Sequence, residues 1–223
     1  MLSALLLADG RFPSGAHAHS VGLESAVAAG LVRDLDDLQA WITGALHASW
    51  RVDAAVAVAA FRLGRRAAPL PDWAELDAEA LARVTSPQLR TAGRALGRQL
   101  LRAGAAAWPS PVLRTVAVVH PDGPLVAVAH GAVAAAADLG LDEVAPVMLH
   151  SAVLGATTAA VRLLGLDPYA VLGVIARLAP ELAEAAGAAE TPSAPAGLAA
   201  GGTPLLDLLL HDHATTEVRF FAT

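Results

Sequence analysis

Two histidines spaced as His17-x-His19 are the residues of this chain best arranged for chemistry. They lie inside the run Leu7-Ala-Asp-Gly-Arg-Phe-Pro-Ser-Gly-Ala-His-Ala-His-Ser-Val-Gly-Leu-Glu24. Imidazole is a good ligand for nickel, copper and zinc. In an extended segment residues two apart project the same way, so His17 and His19 could hold one ion between them. A second pair, His211 and His213, stands near the C-terminus. On a helix its members diverge by about 200°, so that pair chelates only where the last turn frays. Asp9 and Asp212 are the neighbouring carboxylates. Such pairs suit a weak or transient site rather than a closed structural centre.

Catalytic chemistry finds less support. There is no cysteine, so thiolate metal sites and cysteine nucleophiles are excluded. All 15 basic side chains are arginine. A phosphate-binding P-loop needs its lysine, so the chain is not a Walker-type nucleotide hydrolase. No Gly-x-Ser-x-Gly elbow, zinc-protease helix or dinucleotide fingerprint occurs. Ser14, Ser20 and Ser151 lie near histidines in sequence, but that proximity is not a triad. A net charge of −6 and scattered aromatic residues argue against nucleic acid as a partner.

One charged feature stands out. Arg90, Arg94, Arg98 and Arg102 recur at steps of four, which drift by only about 40° each on a helix. They form one cationic stripe, either a solvated face or a docking strip for acidic groups, since guanidinium pairs bidentately with carboxylates.

These residues must be positioned by helices, because the apolar periodicity is helical nearly throughout. Ser20 is placed as an N-cap before Leu23, Ala26 and Val27, and Gly30 is placed to end that helix. Asp34 and Asp37 stand at N-cap and N3. Behind them Leu35, Leu38, Trp41, Ile42, Ala45 and Leu46 make a burying stripe, and the run from Val52 to Leu63 continues or restarts helix. Asp72 caps a short acidic helix through Glu75, Asp77 and Glu79. Ser86-Pro87 opens a helix to about Ala106. Val112–Val119 is β-branched and reads as a helix or an extended connector. Pro124, Asp142 and Asp167-Pro168 open three more helices, the last reaching about Ala186. From Val144 to Val161 no charge appears, but Pro146, His150, Gly155, Thr157 and many alanines favour a buried core helix over a membrane span. The short, acid-terminated apolar start is no signal peptide.

The expected class is all-α, a single domain of packed helices over residues 1–186. Residues 187–203, rich in Ala, Gly, Pro, Thr and Ser, read as a mobile linker. Residues 204–223 read as a tail helix and docking segment, with Leu205, Leu206, Leu208, Leu209 and Leu210 needing burial in the domain, a second copy or a partner.

Two distant motifs carry a resemblance. Leu7-Ala-Asp9, Phe12-Pro-Ser-Gly15 and His19-Ser-x-Gly-Leu-Glu24, continuing to Gly30-Leu-Val32, resemble the N-terminal signature of the urease accessory protein UreF family. Thr203-Pro-Leu-Leu-Asp-x-Leu, His213 and Arg219-Phe-Phe221 are similar to that family's C-terminal motif. Arg90-x-x-Gly-Arg94 through Arg98, and Arg162 to Pro168, sit where the family has comparable segments. The resemblance implies an all-α, dimeric, cytoplasmic protein without enzymatic activity, which binds UreD (UreH), engages the GTPase UreG and helps deliver nickel to apo-urease. No membrane and no stably bound cofactor are implied, although nickel transit is compatible with the histidines. The expected partner-binding residues are Phe12, Pro13, Gly15, His19, Ser20, Gly22, Leu23, Glu24, Arg90, Arg94, Arg98, Pro204, Leu205, His213, Arg219 and Phe221. The alternatives are a nickel-binding metallochaperone using His17 and His19, and a regulator of GTP hydrolysis by UreG.

Overall fold

A computed structural model describes residues 1–14, 20, 22–190, 194–198 and 200–213, with backbone only at 206 and 210–213. The chain forms α1 (Leu2–Ala8), α2 (Leu23–Ala28), α3 (Leu35–Ala45), α4 (Arg51–Arg65), α5 (Leu70–Ala82), α6 (Pro87–Ala107), α7 (Pro111–Val119), α8 (Val126–Ala136), α9 (Leu141–Leu164), α10 (Pro168–Ala189) and α11 (Pro204–His213). No strand occurs among the described residues, and the fold is all-α. The β-branched run 112–119 is helix α7, begun by Pro111 and capped by Ser110 Oγ, which accepts from Val112 N at 3.3 Å.

The packing is set by small residues. Helix α8 is the innermost element: Ala127, Val128, Ala129, His130, Gly131, Ala132, Val133 and Ala134 are all buried. It lies against α4 on one side and α6 on another. A Cβ at Gly131 would stand 2.1 Å from the Ala57 carbonyl oxygen, and one at Gly104 would stand 2.5 Å from a Val133 methyl. Glycine at these crossings lets the helices approach closely. Helix α9 lies against α4, α10 and α1, burying Val144, Leu149, Val153, Ala156 and Ala160. It is long and apolar enough to cross a membrane, yet half of its apolar window is buried within the fold, as a core helix would be.

Local chemistry fixes the helix ends. Asp34 caps α3, accepting from Asp36 N and Asp37 N at 3.1 and 3.0 Å, and Asp37 returns the favour by accepting from Arg33 N. Ser86 caps α6 and Asp167 caps α10. Helix α2 departs from expectation: it begins at Leu23, because Gly22 takes a left-handed turn at φ +83°, while Ser20 Oγ accepts from Glu24 N. Between α3 and α4 the chain never leaves the helix. Leu46–Trp50 form one π-helical turn, so residues 35–65 are continuous. There Trp50 meets Trp41 edge to face at 5.8 Å.

The C-terminal boundaries also differ from those read in the sequence. Helix α10 runs on to Ala189, three residues past the expected end, and burying Ala189 accounts for the extension. The described residues of the expected linker lie against the domain. Leu198 is buried, and Arg83 donates to the Leu198 carbonyl at 2.9 Å. Gly201 touches the π-helical turn so closely that a Cβ would meet the Ala48 carbonyl at 2.6 Å. The tail helix spans Pro204–His213; residues 214–223 lie outside the described residues.

Candidate functional site

The two end motifs meet. Helix α11 packs on α2, and Asp207 of α11 accepts a hydrogen bond from Thr85 Oγ in the turn between α5 and α6. On the same turn Arg90 Nε donates to the Val84 carbonyl at 2.6 Å. Segments separated by almost the whole chain thus form one corner. Local α2 capping, the apolar periodicity of α11 and the Ser86-Pro87 helix start each set one side of it.

Within the corner the expected residues divide into support and surface. Phe12 is buried, with its ring stacked on Trp108 at 5.8 Å and 19°. Leu23, Ser20 and Glu24 are buried as well. They shape the corner and offer little area to a partner. Pro13 and Pro204 are exposed, and Leu205 and Leu208 are 59% and 66% exposed. Leu209 of α11 packs against the core. The tail helix is therefore held in part through Leu209, while Leu205 and Leu208 face outward. After α1, Asp9 accepts from the Arg11 guanidinium at 2.6 Å, and that contact lowers the Asp9 carboxyl to about 2. Gly15, His17, His19, Arg219 and Phe221 lie outside the described residues, and of His213 only the backbone is described.

The arginine stripe follows α6 as expected, but most of it is engaged by the protein's own backbone. Arg94 donates to the Gly123 carbonyl at 3.0 Å and Arg98 to the Asp122 carbonyl at 2.8 Å. With Arg90 on Val84, three of the four guanidinium groups tie loops to α6. Arg102 is exposed and has no such bond among the described residues.

Sequence reasoning missed the polar cluster under this stripe. Asp77, read as one acid of a short acidic helix, is buried. One of its oxygens accepts from Leu125 N at 2.9 Å; the other pairs with Arg94 at 2.6 Å and lies 3.6 Å from His120 Nδ1. Burial lowers the His120 pKa more than the neighbouring Asp77 raises it. Also missed were Asp53 on α4 and His130 on α8. A lone ionisable residue in each of two apolar runs, 52–61 and 125–137, was the available signal. Burial raises the Asp53 carboxyl to about 7 and lowers the His130 imidazole to about 4. Among the described residues no three His, Cys, Asp or Glu side chains are grouped to hold a metal ion.

Comparison with known proteins accords with the motifs. A family model described as UreF matches residues 32–179. The urease accessory protein UreF of Mycobacterium marinum is 38% identical over 98% of this chain and 97% of its own length. That of Mycolicibacterium vanbaalenii is 37% identical over 100% and 99%. That of Mycobacterium tuberculosis (strain H37Ra) is 36% identical over 94% and 92%.

Proposed function

Because this chain belongs to the UreF family of urease accessory proteins, we propose that it is a non-catalytic adaptor in nickel insertion into urease. In this reading it docks UreD (UreH), and through that complex engages the GTPase UreG and apo-urease. The protein acts as a homodimer in the cytoplasm. Nickel passes through the assembly without a stable resting site on this chain. The observation that carries the reading is the corner where α11 lies on α2 with Leu205 and Leu208 outward. An apolar edge of this kind, flanked by exposed proline and a tethering Thr85–Asp207 bond, suits burial against a partner protein.

Co-purification with UreD tests it directly. The intact chain should retain UreD through gel filtration, and a chain lacking residues 204–223 should not. Undiminished complex formation by the shortened chain, with its helical content unchanged, would remove the docking role of the tail.

A further inference from the structure

A cavity of about 240 Å³ lies among α4, α6, α8 and α9 beneath the corner. Its wall is mostly aliphatic, with Val56, Leu89, Leu96, Leu100, Leu125 and Met148 among the lining residues. An engineered apolar cavity of about 150 Å³ already binds benzene, so this volume admits a larger guest. Phe12, Ser14, Gly201, Gly202, Thr203 and Asp207 line it on the side of the two end segments.

Two polar groups of the lining have no evident structural task. His130 is 5% exposed; one ring nitrogen is hydrogen-bonded to the Val144 backbone, and Nε2 has no partner among the described residues. Held neutral by burial, the ring leaves Nε2 as a lone-pair acceptor. Asp53, partly buried at the cavity wall, has no hydrogen-bond partner among the described residues either, and desolvation raises its pKa. It caps nothing, because the backbone is helical from Leu35 through Arg65 and no free amides face it. A buried polar group left unpaired costs about 1–3 kcal/mol, so folded proteins rarely keep one idle. His130 Nε2 is such a group, and the partly buried Asp53 carboxylate lines the same cavity from the adjoining helix α4. Among the other polar members of the wall, Arg83 pairs with Glu79, Thr85 bonds Asp207, and Ser151 donates to the Val147 carbonyl.

We propose that this cavity is a binding site for a small organic ligand with an apolar body and a hydrogen-bond-donating head, received by Asp53 and His130. An amine suits it best. Its N–H groups donate to both acceptors, and its charge is matched by the Asp53 carboxylate in a medium where such pairing is strong. A carboxylate-headed ligand of the same shape is rejected, because it offers His130 Nε2 no donor and repels Asp53. The site goes beyond the adaptor role and does not depend on it.

Gly155 provides a clean control. It lines the cavity from mid-α9, and a Cβ there would meet nothing within 4 Å. Gly155→Leu therefore fills the space with no backbone clash, and Ala152→Leu, on the same wall, is a second filling variant.

Titration calorimetry and saturation-transfer NMR on the full chain, with benzylamine, toluene and benzoate as probes, test the proposal. Benzylamine should bind at least tenfold tighter than toluene, and benzoate should not bind. Asp53→Asn and His130→Phe should each remove most of the benzylamine preference while leaving toluene binding within a few-fold. Both filling variants should abolish binding of every probe with helical content retained. Equal affinity for benzylamine and toluene would overturn the polar-head assignment. Binding that survives both filling variants would place the guest elsewhere and overturn the site. If no probe binds and ordered waters satisfy His130 Nε2 and Asp53 in a crystal structure, the cavity is a hydration site and the proposal fails.

Discussion

The Asp77 carboxylate and the Arg94 guanidinium meet at 2.6 Å with Asp77 almost wholly removed from solvent. The pair joins α5 to α6. Through the second Asp77 oxygen it also fixes Leu125 N, and Arg94 holds the Gly123 carbonyl. One carboxylate thus organises the turn that leads into the central helix α8.

Asp77→Ala should destabilise the protein by about 3–5 kcal/mol, because it strands a charge and a backbone amide inside the fold. Asp77→Asn, which keeps an acceptor for Leu125 N, should cost less. Urea unfolding followed by circular dichroism measures both. A loss below about 1 kcal/mol for the alanine variant would show that water replaces the carboxylate.

Asp53 and His130 should impose opposite pH dependences that mask one another. The Asp53 carboxyl titrates near 7 in the fold against 3.8 for its ordinary value. Across that window the folded state binds more protons than the unfolded, so stability falls as pH rises, by about 4 kcal/mol in total. His130 titrates near 4 against 6.5. There the unfolded state binds more protons, so stability rises with pH between 4 and 6.5, by about 3 kcal/mol. Urea midpoints from pH 4.5 to 7.5 should therefore climb for Asp53→Asn and fall for His130→Phe, relative to the unsubstituted chain. Three parallel curves would contradict this.

Gly131→Ala tests the helix crossing. The added methyl would stand 2.1 Å from the Ala57 carbonyl, a backbone atom that cannot swing aside. Overpacking at such a contact should cost about 3 kcal/mol even though alanine favours helix. A thermal midpoint at or above that of the starting protein would mean that α4 and α8 can separate freely.

Leu205→Ser and Leu208→Ser should weaken retention of UreD about tenfold or more together, with little change in stability. Both side chains are more than half exposed, so the fold gains little from them. Sedimentation of the complex and urea unfolding of the free chain separate the two effects. A stability loss equal to that of a core truncation, with binding intact, would show the helix edge to be part of the domain's own packing.

Much of this molecule was legible in single residues. The capping signals at Asp34, Ser86-Pro87 and Asp167-Pro168 lie beside the helix starts they control, because an N-cap acts on amides within the next turn. The all-α class and the two end motifs were legible for the same reason, since both rest on spacings within a few turns. What spacing alone left open was which polar residues go inside. Asp77 shares its pattern with Glu75 and Glu79, yet it alone is buried, because only its face of α5 meets Arg94 and Leu125. Likewise the arginine stripe was correctly ordered along α6, while the 120–125 loop that takes up Arg94 and Arg98 could not be read from α6 itself. The joining of α11 to α2, and the cavity that Asp53 and His130 both line, depend on contacts between segments far apart in the chain. Local sequence determines where helices begin and which edge is apolar; only the packed fold decides which ionisable groups lose water, because that depends on every neighbour at once.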